Sequence, residues 1–465
     1  MRRGLLIALF AVVAVAVGFF GARAIDSSED EGLEAAPGPD VIVRELPAPE
    51  ETEELGYPAF ATKNTTRVAG ENPTASAAGV ALATFPSTGG APSPDAVSLV
   101  DSEDWPSAIA SASLMASPIG APMLVTNGPD LPELTANAIT QLDPQGSADT
   151  DGAQAFEVGI ATAPQELRSE TVDGRNPAEV AVGVAKLRER LTGEAPESVV
   201  ITTSDDAAYA MPAAGWAARS GDPVLFTGAD TLAPETERYL EQLAEDGRPD
   251  VFVLGPEAAI SERVFDAIDE VARGAQRIEG ENPVQSAIEF ARFDDGDFGW
   301  DINDPGHGFV VANAERPLDA GAAAPLSASG TWGPLLVTDD AGQLPPDLRA
   351  YLLDLKPGYA DDPTRALYNH VWVIGDERAI SVALQAALDE VAEVAPVSRG
   401  PGSVDGETEG REEDRADERA SGGGDDRSAD DADADDSAGA DAADDSRSGG
   451  GADADSGDPA DSDGP

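Results

Sequence analysis

The sequence predicts an α/β protein of three tandem, small parallel-sheet modules of the Rossmann or flavodoxin-like kind, in a pseudo-threefold arrangement and flanked by disordered acidic segments. Two observations lead to this prediction. Three short sequence landmarks recur in the same order three times, and within a repeat short apolar runs alternate with helical patterns. Strands that are apolar throughout are covered on both faces, and short alternation of strands with helices makes a sheet parallel.

The first 25 residues predict an export signal. Arg2 and Arg3 form a positive start, and residues 5–22 follow without a charge. This length lies between a long signal-peptide core and a short spanning helix, and Ala22-Arg23-Ala24 resembles a cleavage site. The segment is therefore either a cleaved signal peptide or a single N-terminal membrane anchor, with everything after about residue 25 outside the cytoplasm.

Acidic segments flank the predicted modules on both sides. Residues 26–62 are acidic and rich in proline, which is typical of an extended linker. Residues 399–465 contain Asp, Ala, Gly and Ser with Val404 as the only large apolar residue, so we expect a disordered polyanionic tail. Such a tail solubilises the protein, and it also has the chemistry to collect divalent cations.

Composition excludes several classes of function. The 465 residues carry a formal charge of −59, no Cys and 2 His. A chain this acidic repels nucleic acid, and without thiols it has no disulfide, Cys-ligated zinc, iron-sulfur cluster or Cys nucleophile. Residues 26–60 carry −10, residues 399–465 carry −17 and residues 1–25 carry +3, so −35 falls on residues 61–398. With only three lysines, this surface is typical of a salt-adapted prokaryote.

The three landmarks divide the middle of the chain into repeats at residues 63–168, 169–274 and 275–398. The first landmark, Arg-Val-Ala-Gly-Glu-Asn-Pro at residues 67–73, returns at 171–177 and 277–283, with glycines 104 and 106 residues apart. Predicted helices follow at 75–83, 178–191 and 284–293. The second landmark is a proline-led apolar strand at 121–126, 222–227 and 333–338. The third is an apolar run that ends at Gly159, Gly255 or Gly375.

The second repeat shows the alternation most completely. Its pattern predicts strands at 198–203, 223–227 and 251–254 and helices at 211–220 and 233–244. Three such modules can form a string or close into a ring. We expect closure, because a ring buries the faces that each module otherwise exposes.

These landmarks resemble the cell wall-binding repeat type 2 family over about residues 63–396. The family's aromatic-Pro element is similar to residues 104–108 and, more loosely, to 209–212 and 316–320. This sequence differs from the family in having Asn-Pro after the first glycine and single glycines in place of Gly-Gly. The resemblance implies a non-catalytic module that holds an exported protein on the cell wall, in some members through an anionic polymer.

The resemblance also implies which residues contact the polymer. In this chain they are the starts of the three proline-led strands: Pro122, Met123, Leu124, Val125, Pro223, Val224, Leu225, Phe226, Pro334, Leu335, Leu336 and Val337. A proline that opens a buried strand explains the same pattern without a ligand. Because the body is acidic, contact with a polyanion needs bridging divalent cations or strong salt screening, or else depends on shape and hydroxyl groups.

An enzyme is not expected, and no cofactor is predicted. His307 and His370 are isolated in sequence, and the motifs of serine hydrolases, P-loop proteins and dinucleotide-binding proteins are missing. The repeats also account for the whole predicted folded length. Two alternatives to wall attachment remain open, which are a membrane-anchored surface scaffold for protein partners and the remnant targeting part of a wall hydrolase or amidase.

Two further groups of residues have the chemistry to bind ligands. Trp105 and Trp332 lie beside turn elements and are candidates for stacking on saccharide rings, whereas Trp372 lies in a core strand. Asp295, Asp297 and Asp301 form a weak calcium candidate, for which an acidic surface loop is the alternative. The sequence thus predicts an extracytoplasmic protein of the cell wall or cell surface, secreted or anchored by one helix.

Overall fold

A computed structural model describes residues 58–397, apart from residues 69, 87–91, 247–248, 273, 331 and 361. The predicted export signal at residues 1–25, most of the predicted linker and the predicted acidic tail lie outside the described residues. Within residues 58–397, no helix combines the length and the apolar character needed to cross a membrane.

Strands and helices alternate along the described residues. The strands in chain order are β1 (Pro58–Ala61), β2 (Thr65–Val68), β3 (Val97–Asp101), β4 (Met123–Thr126), β5 (Ala155–Val158), β6 (Ser169–Val172), β7 (Ser198–Thr203), β8 (Val224–Thr227), β9 (Asp250–Leu254), β10 (Gln276–Ile278), β11 (Gly308–Asn313), β12 (Leu335–Thr338), β13 (Gly358–Tyr359), β14 (His370–Ile374) and β15 (Ala395–Pro396). The helices are α1 (Pro73–Thr84), α2 (Trp105–Ser111), α3 (Glu133–Leu142), α4 (Pro177–Thr192), α5 (Ala207–Ser220), α6 (Pro234–Asp246), α7 (Glu262–Ala272), α8 (Pro283–Arg292), α9 (Leu318–Ala328), α10 (Pro346–Asp354) and α11 (Val382–Ala392), with 3-10 turns at Ala112–Met115 and Pro363–Arg365.

The strands form three main sheets, which confirms the predicted α/β fold class of small parallel-sheet modules. The first sheet has the order β4-β3-β5-β6 and the second β8-β7-β9-β10, and all their pairs are parallel. The third has the order β12-β11-β14-β2-β1, in which only β1 is antiparallel. A two-stranded pair, β13 with β15, lies apart from these sheets. We call each main sheet with its helices the first, second or third module.

The last parallel strand of each sheet comes from the start of the next repeat. β6 and β10 carry the first landmark of the second and third repeats, yet they pair with β5 and β9 of the preceding sheet. β2 carries the first landmark of the first repeat and pairs with β14 of the third module. The exchange is therefore cyclic, and the N-terminal strand closes the ring on the last module.

Helices repeat the same cyclic pattern at the centre. α2, α5 and α9 each contact the other two. These three corresponding helices, one from each module, therefore surround a common pseudo-threefold axis. The helix that opens each repeat packs on the central helix of the preceding module: α4 on α2, α8 on α5 and α1 on α9. One core cluster of buried side chains accordingly runs through all three modules, and a smaller one lies within the first.

The Asn-Pro pair of the first landmark starts a helix in each repeat. Asn72, Asn176 and Asn282 are N-caps with extended backbone, and each side chain accepts a hydrogen bond of 2.9–3.0 Å from the backbone N–H three residues on. The proline that follows occupies the first turn, where its missing N–H costs nothing. This departure from the family pattern is thus a local helix-start signal.

Two boundaries differ from the sequence prediction by more than two residues. β1 lies within the predicted linker, because a hairpin pairs it with β2 at the edge of the third sheet. Helix α5 begins at residue 207 rather than 211, since Asp206 caps it by accepting a hydrogen bond of 3.0 Å from the N–H of Ala208. Pro212 lies inside this helix, not at its start as the aromatic-Pro pattern suggested.

Candidate functional site

The twelve predicted polymer-binding residues are all buried. The three prolines Pro122, Pro223 and Pro334 are in the buried class, and the apolar side chains that follow them are at most 3% exposed. The second-landmark strands β4, β8 and β12 are edge strands of their sheets, yet helices cover them, so their side chains present no surface to a polymer. Direct polymer contact through these strands stays a prediction, and in this folded state it would need their buried side chains to become exposed.

The proline-led strands instead join the modules to one another. Gly321 of α9 approaches β4 so closely that a Cβ there would lie 2.9 Å from Met123 Sδ, and a Cβ on Gly215 of α5 would lie 3.2 Å from the backbone N of Leu335. Phe226 of β8 meets the ring of Trp105 edge-on, with centroids 5.7 Å apart. Each of these strands thus packs against the central helix of the preceding module.

An open cavity lies where the first and third modules meet. It has a volume of about 480 Å³ and is bordered by residues that follow the carboxyl ends of β2, β3, β11 and β14. Ligand sites of parallel α/β sheets occupy this edge. We call it the Trp105 cleft; its lining includes Glu71, Glu103, Trp105, Glu315, Arg316, Asp376 and Arg378.

Arg316 joins the third module to the start of the first repeat inside this cleft. Its guanidinium reaches the carbonyl of Gly70 at 3.4–3.5 Å and lies 3.5 Å from Asp376 Oδ1. Its Nε lies 2.8 Å from Oδ2 of Asp319, a carboxylate whose side chain has no exposed surface. Among the described residues no donor is aligned on that Oδ2, so the ion pair leaves the buried oxygen poorly satisfied. Burial accordingly raises the pKa of Asp319 to about 6, and the nearby Arg316 offsets only part of the effect.

Arg378 supplies the exposed cation of the cleft. Its Nε lies 2.6 Å from Asp376 Oδ2 and its Nη2 3.1 Å from Glu71 Oε1, and 68% of its side chain is exposed. Bonding to Asp376 and Glu71 raises the pKa of Arg378, so it stays charged. The lining nevertheless has four carboxylates against two guanidinium groups. This balance favours a hydroxyl-rich neutral ligand, or an anion bridged by cations, over a free polyanion.

The predicted saccharide-stacking tryptophans lie in two different cavities. Trp105, partly buried, lines the Trp105 cleft. Trp332, also partly buried, lines a second cavity with Trp216 and Trp300. Trp372 lies in β14 and is packed against the core, as predicted.

The calcium candidate is not assembled. Asp295 accepts a hydrogen bond from Gln276 Nε2, Asp301 accepts one of 2.9 Å from Asn303, and Asp297 lies at the rim of the cavity beside Trp332. Within the described ranges, no group of three acidic or His side chains has an arrangement that fits a metal. The loop turns back on itself through a bridge between Asp294 and Gly299.

The two histidines are neighbours in the sheet, although they are far apart in sequence. The N–H of His370 donates to the carbonyl of His307 at 3.0 Å. The ring Nε2 of His307 lies 2.9 Å from Asp304 Oδ1, whereas the ring of His370 packs against Trp372. Burial lowers the pKa of His370, so this ring is neutral at pH 7.

Sequence reasoning missed Arg316 and Arg378 as cleft residues. The sequence did contain a signal for Arg378. The motif Gly-x-Glu-x-Ala-Ile-Ser occurs at both 255–261 and 375–381, beginning at the glycine that ends the third landmark. It marks the loop that leaves the carboxyl end of a central strand. Arg316 was noted only as part of the loose aromatic-Pro element.

Comparison with known proteins agrees with this architecture. Residues 171–265 match the family model of cell wall binding domain 2 (CWB2), which confirms the predicted resemblance over that part of the chain. Cwp8 from Clostridium difficile is a similar structure, with 18% identity and a TM-score of 0.54 over 71% of this chain and 52% of that chain. Cwp6 from Clostridium difficile gives 15% identity and a TM-score of 0.53 over 70% of this chain and 48% of that chain.

The chain therefore spans about half the length of these two structures. At sequence identities of 15% and 18%, the structural similarity shows that this chain shares their fold. No curated protein matches the sequence significantly.

Proposed function

We propose that this chain is a non-catalytic, exported cell-envelope protein that attaches to the cell wall through its three α/β modules. The match of residues 171–265 to cell wall binding domain 2 is the observation that carries the proposal. That family is a binding family, which favours attachment over catalysis. The fold shared with two clostridial Cwp proteins is consistent with a surface protein.

The Trp105 cleft is the proposed contact with the wall polymer. It lies at the carboxyl edge of the sheets, it has a partly exposed aromatic ring, and its exposed Arg378 is held between two carboxylates. A sugar stacked near Trp105 can exchange hydrogen bonds with this charged rim. The excess of carboxylates makes hydroxyl contacts or divalent cation bridges the mechanism.

Export and salt adaptation complete the proposal. Residues 1–25 direct export and are either removed or kept as an anchor, and the charge of −35 on residues 61–398 suits a concentrated-salt environment. The wall then lies on the same side of the membrane as the modules. The domain boundaries at residues 63, 169, 275 and 399 are part of the same proposal.

Sedimentation of the full-length protein with wall sacculi from a halophilic bacterium tests the proposal. The buffer keeps salt high, because at low salt self-repulsion of the acidic body would unfold it. Co-sedimentation is expected, and its loss with a chelator would identify cation bridging. A folded protein that stays in the supernatant with and without chelator contradicts wall attachment and favours the surface scaffold.

Matched arginine variants test the cleft itself. Arg378→Gln removes the exposed cation of the Trp105 cleft, and we expect it to reduce the bound fraction severalfold. Arg238→Gln is the control, because Arg238 is 66% exposed, pairs with Glu235 at 3.5 Å and lies in another module. Equal binding by both variants and the parent would remove the cleft from the proposal while leaving wall attachment in place.

A further inference from the structure

A second cavity lies between the second and third modules. It has a volume of about 350 Å³ and is lined by Trp216, Arg219, Ser220, Asp297, Gly299, Trp300 and Trp332. We call it the Trp332 pocket. Three of the chain's five tryptophans border it. Its volume is at the lower end of the range for small-molecule sites, roughly 300–1,000 Å³.

An extended loop of the third module builds one wall. The segment between the opening helix and the central strand comprises residues 293–307 in the third module, but only residues 193–197 in the second. The longer segment carries Phe298 and Trp300. The ring of Phe298 stacks on Phe252 of the second module, with centroids 3.6 Å apart and planes 5° apart. Because this contact fixes the loop on the neighbouring module, the pocket is formed before any ligand arrives.

The walls are aromatic and the rim is polar. Trp300 lies nearly parallel to Trp332 at a centroid distance of 6.2 Å and edge-on to Trp216 at 5.4 Å. Arg219, Ser220 and Asp297 are exposed at the rim. Indole faces pack against the C–H face of a pyranose ring, and rim groups of this kind exchange hydrogen bonds with its hydroxyls.

One indole donor in the wall has no partner. The N–H of Trp216 donates to Asp222 Oδ2 at 2.7 Å, whereas the N–H of Trp300 has no acceptor among the described residues. Trp300 is only 6% exposed. A buried donor without an acceptor costs free energy, so this indole is held in the wall by packing rather than by a hydrogen bond of its own.

Charge at the rim selects among ligands. The guanidinium of Arg219 lies 4.3 Å from the ring centroid of Trp332 and already occupies a cation site on that indole. A second cation would be repelled there, and a polyanion is repelled by the acidic body. Arg219 and Asp297 balance each other, so an uncharged, hydroxyl-rich ring is the best match.

We propose that the Trp332 pocket binds one neutral hexopyranose unit of a glycan. This inference rests on the proposed function for its biological setting, since it names the sugar class that the wall would present. It adds a saccharide site at the joint of the second and third modules, separate from the Trp105 cleft.

Titration with soluble methyl β-glucopyranoside tests the pocket without any wall material. Tryptophan fluorescence of the full-length protein in high salt should change saturably with the glucoside, and much more weakly with glucuronate. Trp332→Ala should weaken binding about tenfold, the factor equivalent to about 1.4 kcal/mol. Tyr368→Ala is the control, because Tyr368 is an exposed aromatic residue outside both the Trp332 pocket and the Trp105 cleft, and it should leave the glucoside titration unchanged.

Variants of the exposed rim residues keep the test valid if Trp332→Ala disturbs folding. If Trp332→Ala lowers the unfolding midpoint, Arg219→Ala and Asp297→Ala replace it, and each should weaken the glucoside severalfold. The proposal is overturned if the parent shows no saturable change with the glucoside, or if well-folded pocket variants bind it as the parent does. If the protein sediments with sacculi but does not bind the glucoside, the pocket proposal alone is refuted. If it binds the glucoside but does not sediment with sacculi, wall attachment alone is refuted.

Discussion

The guanidinium Nε of Arg67, on the first-landmark strand β2, donates to Oε1 of Gln385 on the last helix at 2.9 Å, across 318 residues of sequence. The same side chain donates to the carbonyls of Gly375, Asp376 and Ile380 at 2.6–2.9 Å. Arg277, the corresponding residue of the third repeat, donates in the same way to Gly255 and Ile260 of the second module. The landmark arginine therefore binds two of the three exchanged strands, β2 and β10, to the module before them, whereas β6 has Thr171 at this position.

Loss of this arginine should open the ring. Arg67→Met keeps the length of the side chain but leaves Gln385 and three carbonyls without their donor in a site that is 3% exposed. We expect the free energy of unfolding to fall by about 3 kcal/mol. Denaturant unfolding in high salt measures this free energy. Arg349→Met is the control, because Arg349 is exposed. Equal stability of the two variants would show that strand exchange does not depend on Arg67.

The exchange of strands was not visible in the sequence. Strands β7 and β9 could be predicted to within a residue, because each is a run of buried apolar residues with its own signal. β6 and β10 are short, and only their last residues, Val172 and Ile278, are buried. Such strands have no apolar run, and their pairing is set by contacts with a neighbouring module, which no local pattern encodes.

The Asn-Pro helix starts can be tested one at a time. Asn176→Ala removes the acceptor that lies 2.9 Å from the N–H of Glu179, so the start of α4 loses its cap. The expected loss is about 1 kcal/mol of unfolding free energy. Asn137→Ala is the control, because Asn137 is exposed within α3, where alanine favours the helix. If both variants keep parental stability, the recurrence of Asn-Pro in all three repeats has another cause.

Close helix packing at the pseudo-threefold axis predicts a second stability effect. A Cβ on Gly321 of α9 would lie 2.5 Å from the carbonyl oxygen of Ala108 and 2.9 Å from Met123 Sδ. Because the first neighbour is backbone, Gly321→Ala must displace one helix, and we expect a loss of about 1–3 kcal/mol despite the better helix propensity of alanine. Gly342→Ala, whose Cβ would meet only the Asp340 side chain at 3.4 Å, should be nearly neutral. Thermal unfolding of both variants distinguishes them.

The candidate site was predicted less well than the fold. Proline-led strands recur for a packing reason, and a repeated pattern by itself does not distinguish an interface between modules from a ligand site. Trp105 was found because it lies beside a turn element and an indole is chemically distinctive. Arg316 and Arg378 both lie on loops of the third module, and ring closure brings the first-repeat residues Gly70 and Glu71 against them. Their proximity to Trp105 follows from tertiary structure alone.

The buried carboxylate of Asp319 predicts how stability depends on pH. Its pKa is raised to about 6 in the folded protein from an ordinary value of 3.8, so the folded state holds a proton that the unfolded state has lost between these values. Stability therefore falls as pH rises from about 4 through 6, and above pH 6 the ionised group costs on the order of 2–3 kcal/mol. This sign is opposite to that of an exposed, salt-bridged aspartate.

Asp319→Asn mimics the neutral acid and should remove that dependence. We expect the variant to be more stable than the parent at pH 7.5 and equally stable at pH 4, because the parent's Asp319 is then protonated. Denaturant midpoints across pH 4–8 in constant high salt measure the difference. Asp339→Asn, an exposed carboxylate on the loop after β12, is the control and should follow the parent at every pH. A destabilised Asp319→Asn at pH 7.5 would mean that the ion pair with Arg316 outweighs the burial of the charge.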